Sequence, residues 1–143
     1  MVGAEAKRRG ICLRKSWPHK LPSVWVDGAQ IKQVFLNVLL NALQAMESGG
    51  RIDVRIEVDG ETIATVVRDQ GEGMPPEAEA QLFIPFFTTK PGGTGLGLSI
   101  AHRIIAGHRG RIHVTSHQGE GTAVRIELPL RAEQAHEEDF AGR

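Results

Sequence analysis

The chain has 143 residues, a length that suits one domain with a single core. Hydrophobic residues make up 41% and charged residues 24%, and 17 Lys plus Arg balance 17 Asp plus Glu to a formal net charge of zero. That balance speaks against a general nucleic-acid or membrane-surface binder, and one cysteine excludes an internal disulfide. No apolar run nears the ~20 residues that cross a bilayer, and no charged-then-apolar leader follows Met1. The expected setting is therefore soluble and cytoplasmic, with Cys12 a half-buried strand residue in a reducing compartment.

In chain order, residues 11–17 ("ICLRKSW") alternate as a half-buried strand, and "LPSVWVD" is a second short strand candidate. Asp27 reads as the N-cap of a helix running to about Ser48, stopped by Gly49-Gly50. "RIDVRIEV" and "TIATVVRD" flank Asp-Gly, a strong hairpin signal. Residues 71–97 hold six glycines and four prolines and are too long for a plain connection, so a lid or binding loop is expected there. A helix from about Leu96 to Ala106 follows, then a second antiparallel pair around "HQGEG". The polar tail after residue 130 reads as frayed. Strands that come mainly as hairpins predict an α+β fold, a mixed sheet with helices on one face.

The helix after Asp27 raises a question. On a wheel of ~100° per residue, Ile31, Val34, Phe35, Val38, Leu39, Ala42, Leu43 and Met46 gather into one stripe. The opposite face carries Gln30, Gln33, Asn37 and Gln44, with Asn41 at the margin, where Lys and Glu would be usual. Asn37 and Asn41 stand one turn apart and point the same way. A carboxamide oxygen is a hard neutral ligand, suited to a Mg²⁺ already shared with substrate phosphates. The plainer alternative is that both amides bond backbone or water at a partly buried helix edge.

Two glycine-rich stretches follow. "RDQGEGMP" sets Asp69 at a strand end before Gly71 and Gly73; these fit an ordinary turn, or a pocket where a flat ligand approaches backbone. A carboxylate there can accept from an exocyclic amine such as adenine N6, and guanine would face it with an oxygen. "TTKPGGTGLGLSIAHRII" is not a Walker A loop, because Leu98 stands where the lysine must be, and it contains no GxGxxG dinucleotide fingerprint. What remains is a glycine loop opening into a helix, whose free N–H groups suit phosphate oxygens. Lys90 and Thr94 add a cation and a hydroxyl.

Together these stretches resemble one family. "NVLLNALQAM" looks like the N box, "DQGEG" the first glycine box, "LFIPFFTTK" the F box and "GGTGLGL" the second glycine box of bacterial sensor histidine kinases. The resemblance is to their catalytic ATP-binding domain, spans about residues 4–130 with the lid at about 71–97, and is nearest to the nitrogen-regulatory type. It implies the two-layer α/β sandwich shared with gyrase, Hsp90 and MutL, a mixed sheet backed by about three helices.

It further implies ATP and Mg²⁺ as ligands, with Asn41 on the metal and Asn37 supporting metal or phosphates. Asp69 would hold the adenine amine, Gly71 and Gly73 would line the base pocket, and Thr122 would stand near that contact. Gly93, Gly95 and Gly97, with Leu96 and Leu98 between and after them, would take the phosphates, and Lys90 and Thr94 would reach them. Phe83, Phe86 and Phe87 would anchor the lid. Hydrolysing relatives carry a glutamate where Asn37 stands, and a carboxamide is no general base, so a kinase is favoured over an ATPase. The implied partners are ATP or ADP, a histidine-bearing dimerisation domain and a response regulator, with this domain monomeric and touching neither nucleic acid nor membrane. No helical hairpin for a phosphoacceptor fits before Asp27, His136 is a poor candidate, and His113 with His117 is too small a set for zinc, so the chain is not expected to autophosphorylate alone. A nucleotide-sensing adaptor and an anti-sigma serine kinase are the alternatives.

Overall fold

The computed structural model describes residues 2–46, 49–85 and 97–130. Its elements run α1 (Val2–Arg8), β1 (Cys12–Ser16), α2 (Gly28–Gln44), β2 (Arg51–Asp59), β3 (Thr62–Asp69), α3 (Pro76–Glu79), α4 (Gly97–Gly107), β4 (Arg111–His117) and β5 (Gly121–Pro129). The five strands form one mixed sheet in the order β1-β2-β3-β5-β4. β1 lies parallel to β2, and every other pairing is antiparallel. The Asp-Gly hairpin forms as expected: Asp59 faces Thr62 across a two-residue turn.

Strand alternation sorts the residues. Ile52, Val54, Val67, Ile112, Val124, Ile126 and Leu128 point inward to one core with Val34, Val38, Ala42 and Leu43 of α2 and Leu98, Ala101 and Ile105 of α4. Each Val, Leu or Ile among them fully removed from water contributes roughly 1.5–3 kcal/mol. The outer face carries ion pairs instead, Arg55–Glu57 at 2.7 Å and Arg51–Asp53 at 3.0 Å among them. Ala64 and Val66 also belong to that outer face and are nonetheless buried. Long arginine and glutamate stems on the neighbouring strands cover them.

Asp27 is the N-cap of α2, its Oδ1 accepting from Gln30 N at 3.0 Å. Its own backbone N–H donates to His108 Nε2 at 3.0 Å, and His108 Nδ1 lies 2.8 Å from the Ile104 carbonyl. One neutral tautomer satisfies both contacts, with the proton on Nδ1. The start of α2 is thereby fastened to the end of α4, which packs beside it.

Three expectations need correction. Residues 21–27 are not a strand: Val24 and Val26 press on the core, but Pro22 lacks a donor and the segment joins no ladder. α2 ends at Gln44, short of Ser48, because Arg9 takes the carbonyls of Leu43 at 2.9 Å and of Met46, closing the helix end. Residues 47 and 48 lie outside the described residues. Cys12 is exposed, since β1 is an edge strand and this position faces away from the helices. The short α1 and α3 were signalled by no periodicity, being under two and a half turns each.

Replacing Asp27 by Ala removes the cap oxygen and leaves its backbone contact to His108 in place. We expect a loss of about 1 kcal/mol, read as a lower urea midpoint at unchanged slope.

Candidate functional site

The alternation that turns Ile63 and Val67 inward also turns Asp69, two residues further, toward the helices. Asp69 is 5% exposed. A buried carboxylate is tolerated only where donors face it, and two do. Its Oδ1 accepts from Gly71 N at 2.8 Å and from Thr122 N at 3.2 Å. The strand end, the following loop and the start of β5 therefore meet on one oxygen.

That loop is held by close backbone approach. A Cβ on Gly71 would stand 2.5 Å from the Ala45 carbonyl oxygen and 2.9 Å from the Ala45 Cβ. Gly73 has φ +70°, and a Cβ there would overlap the carbonyl of His117. Both glycines are thus required by the protein's own packing, α2 on one side and β4 on the other. A ligand is not needed to explain them.

Further along α2 the row continues. Asn37 Nδ2 donates to the Gly97 carbonyl at 3.1 Å, and Asn37 Oδ1 accepts from Gln33 Nε2 at 2.7 Å. Asn37, Asn41 and Ala45 are successive i, i+4 positions on one face. Asn37 touches the first residue of α4, and Ala45 touches the loop after Asp69. Half-buried Asn41 stands between them. At 1.5 Å per residue, Asn37 to Ala45 spans about 12 Å. A helix start, a row of carboxamides and a buried carboxylate are thus arrayed along one line on the helix-covered face.

The structure brings together Asn37, Asn41, Asp69, Gly71, Gly73, Gly97 and Thr122. Leu98 is buried in the core under the start of α4, and Phe83 packs against that core with its ring 4.8 Å from the ring of His102. Phe86, Phe87, Lys90, Gly93, Thr94, Gly95 and Leu96, expected to form the lid and phosphate loop, lie outside the described residues. The expected loop from residue 71 has structure of its own as far as residue 85, since α3 interrupts it and Leu82 and Phe83 reach the core.

Sequence reasoning passed over Ser116. It is 6% exposed, accepts from Met74 N at 2.8 Å and stands 2.8 Å from Thr122 Oγ1. A signal was available: in β4 the inward positions run Ile112, Val114, Ser116, and a hydroxyl ending an apolar row opposite a threonine invites the question of what it bonds.

Among the described residues no group of three or more His, Cys, Asp or Glu could hold a metal by itself. The donor set is neutral and amide-based, with Asn37 already engaged on both its oxygen and its nitrogen. That chemistry fits a hard cation that arrives with phosphate oxygens and needs only one or two protein oxygens.

Residues 26–132 match the family described as histidine kinase-, DNA gyrase B- and HSP90-like ATPase. The chain is 40% identical over 133 residues to sporulation kinase A of Bacillus subtilis (strain 168), covering 92% of this chain and 22% of that protein. It is 38% identical over 130 residues to the sensor histidine kinase ZraS of Escherichia coli (strain K12), covering 91% and 28%. The chain thus spans less than a third of the length of these curated relatives. Among solved structures, the catalytic domain of histidine kinase ThkA superposes with a TM-score of 0.81 at 32% identity, over 90% of this chain and 84% of that one. Full-length ShkA in complex with AMPPNP superposes at 0.79 and 31% identity, over 88% and 27%.

Gly73→Ala is expected to cost at least about 2 kcal/mol, combining left-handed strain with displacement of the His117 backbone. Gly49→Ala is the control, with nearly the same φ (+71°) but no atom within 4 Å of the added Cβ. The difference between the two urea midpoints measures the contact itself.

Proposed function

The chain belongs to the histidine kinase-, DNA gyrase B- and HSP90-like ATPase family, and from that premise we propose that it is the ATP-binding catalytic domain of a sensor histidine kinase. The kinases among its relatives, and a solved neighbour that holds AMPPNP, support this reading. One observation carries it furthest: α2 joins the buried Asp69 at one end to the start of α4 at the other, with Asn41 between.

In this reading Asp69 accepts the adenine amine, with Thr122 beside it, while the loop from Gly71 to Gly73 forms the pocket wall through its backbone. Two backbone N–H groups fix Oδ1 of Asp69 in place, and a carboxylate is an acceptor-only group, the polarity that an amine requires. Gly97 opens α4 toward the phosphates, where N–H groups at the helix start favour negative charge. Asn41 holds the cation and Asn37 fixes the distance between α2 and α4. Gly93, Thr94, Gly95, Leu96 and Lys90 would complete the phosphate loop, Leu98 would seat the helix start in the core, and Phe83, Phe86 and Phe87 would anchor the lid. Bound Mg²⁺ would neutralise charge between the phosphates.

The γ-phosphoryl group would pass from ATP to an imidazole nitrogen of a histidine on a separate dimerisation domain, leaving ADP, and onward to a response regulator. Such transfer requires position and charge neutralisation more than base chemistry, which suits a carboxamide at residue 37. A cytoplasmic location goes with the same reading.

Mg·ADP at about 100 times its Kd should raise the melting temperature by roughly 5–10 °C. Mg·GDP should not, and Asp69→Asn should remove the ADP shift. An equal shift with both nucleotides would refute the adenine reading. Mixing with a histidine-bearing domain and labelled ATP should then give phosphohistidine; tight ATP binding without it would indicate an adaptor instead.

A further inference from the structure

Ser116 touches no expected ligand, and yet its hydroxyl sits where three hydrogen bonds meet. Met74 N, a donor only, lies 2.8 Å from Ser116 Oγ. The Gly121 carbonyl, an acceptor only, lies 3.3 Å away, and Thr122 Oγ1 lies 2.8 Å away. A serine hydroxyl has one proton and two lone pairs. It must accept from Met74 and give its own proton to Gly121. Thr122 is then left to be the donor in the hydroxyl–hydroxyl contact. This is the arrangement in which all three contacts are hydrogen bonds, and burial of Ser116, Gly121 and Thr122 makes an unmade bond costly.

We propose that Ser116 is a specificity-determining positioning residue: by taking the Thr122 proton, it turns the Thr122 hydroxyl into a pure acceptor beside Asp69. Thr122 N already donates to Asp69 Oδ1, and strand alternation turns both side chains to the helix-covered face. Both then present only lone pairs, and a base edge bearing an amine fits them while a 6-oxo edge meets oxygen against oxygen. The selectivity for an amine over a carbonyl would thus rest on two residues that read the base and on a third behind them that fixes the direction of a proton. Without Ser116, Thr122 would be free to rotate its hydroxyl and donate to a carbonyl. The inference rests on the adenine reading of the site given above.

The test compares Mg·ADP with Mg·IDP, whose base differs at position 6 and adds no 2-amino group. Calorimetric Kd values are measured for the wild type, Ser116→Ala, Thr122→Val and the double variant. Ser116→Ala should weaken ADP binding while lowering the ratio Kd(IDP)/Kd(ADP) at least about threefold. In the Thr122→Val background, where there is no hydroxyl to turn, Ser116→Ala should leave that ratio unchanged. Equal losses for both nucleotides, or the same change in ratio with and without Thr122, would overturn the proposal and reduce Ser116 to a packing role. If Ser116→Ala does not fold, Ser116→Cys, a weaker acceptor, should move the ratio in the same direction by a smaller factor. An unchanged ratio in that variant overturns the proposal as well. A wild type that binds neither nucleotide refutes the adenine reading itself, an outcome distinct from either of these.

Discussion

A carboxylate removed from water at the end of a strand must be met by hydrogen-bond donors, and Asp69 obtains them from backbone both near and far in sequence. Gly71 N is two residues on, but Thr122 N is 53 residues away and reaches Asp69 only because β5 is paired with β3. The requirement spreads outward. For Gly71 to face Asp69 its loop must turn tightly against the end of α2, which leaves no room for a side chain beside Ala45. For the loop to leave that turn it must cross the carbonyl of His117, so Gly73 takes a left-handed conformation there. Ser116 then holds the next backbone N–H, that of Met74. Each of these constraints is local in form, yet each exists because one buried charge has to be solvated by protein.

α2 extends the same logic toward the other end of the site. A helix face that meets phosphate oxygens is poorly served by carboxylates, which repel them, and long ammonium side chains do not fix a distance. Short neutral amides do neither harm. Asn37 makes the point most clearly, because its oxygen and nitrogen are both engaged, with Gln33 and with the Gly97 carbonyl. It acts as a clasp between two helices. A carboxamide used in this way cannot also withdraw a proton from water near neutral pH, so under the proposed function the residue that clasps the helices would favour transfer over hydrolysis.

What was legible in the sequence follows from the range of the interactions involved. The Asp27 cap, the Asp-Gly hairpin and the bounds of α4 are decided within a few residues, and local rules read them correctly. The odd row of amides on α2 was visible in the sequence, and at Asn37 the structure shows the plainer of its two readings, a bond to backbone at a half-buried helix edge. Residues 21–27 were misread because alternation reports which side is buried and does not report whether a ladder partner exists. The end of α2 was misplaced because the residue that closes it, Arg9, comes from 34 positions earlier. The glycines of the Asp69 loop were noticed for a ligand's sake, whereas the carbonyls that exclude a Cβ belong to Ala45 and His117. Ser116 was missed for the same reason: a hydroxyl in a strand means little until the N–H it accepts, 42 residues away, is known.

The two ends of the site therefore rest on different physics. At the end proposed for the base, the groups that would read it are also members of the sheet: Asp69, Thr122 and Ser116 are buried and bonded through contacts that exist only once β3, β4 and β5 are assembled. Their donors and acceptors are spoken for before a ligand enters, and what is left over has a fixed polarity. At the end proposed for the phosphates, the amide of Asn37 joins a helix face to a helix start. Charge can be met there by groups that need only approximate placement, since Coulomb attraction falls off gradually with distance, whereas discrimination between an amine and a carbonyl depends on hydrogen-bond direction and fails with a small misplacement. Under the proposed function, directional buried hydrogen bonding would serve the base and charge attraction the phosphates, a division of labour that the two kinds of interaction themselves favour.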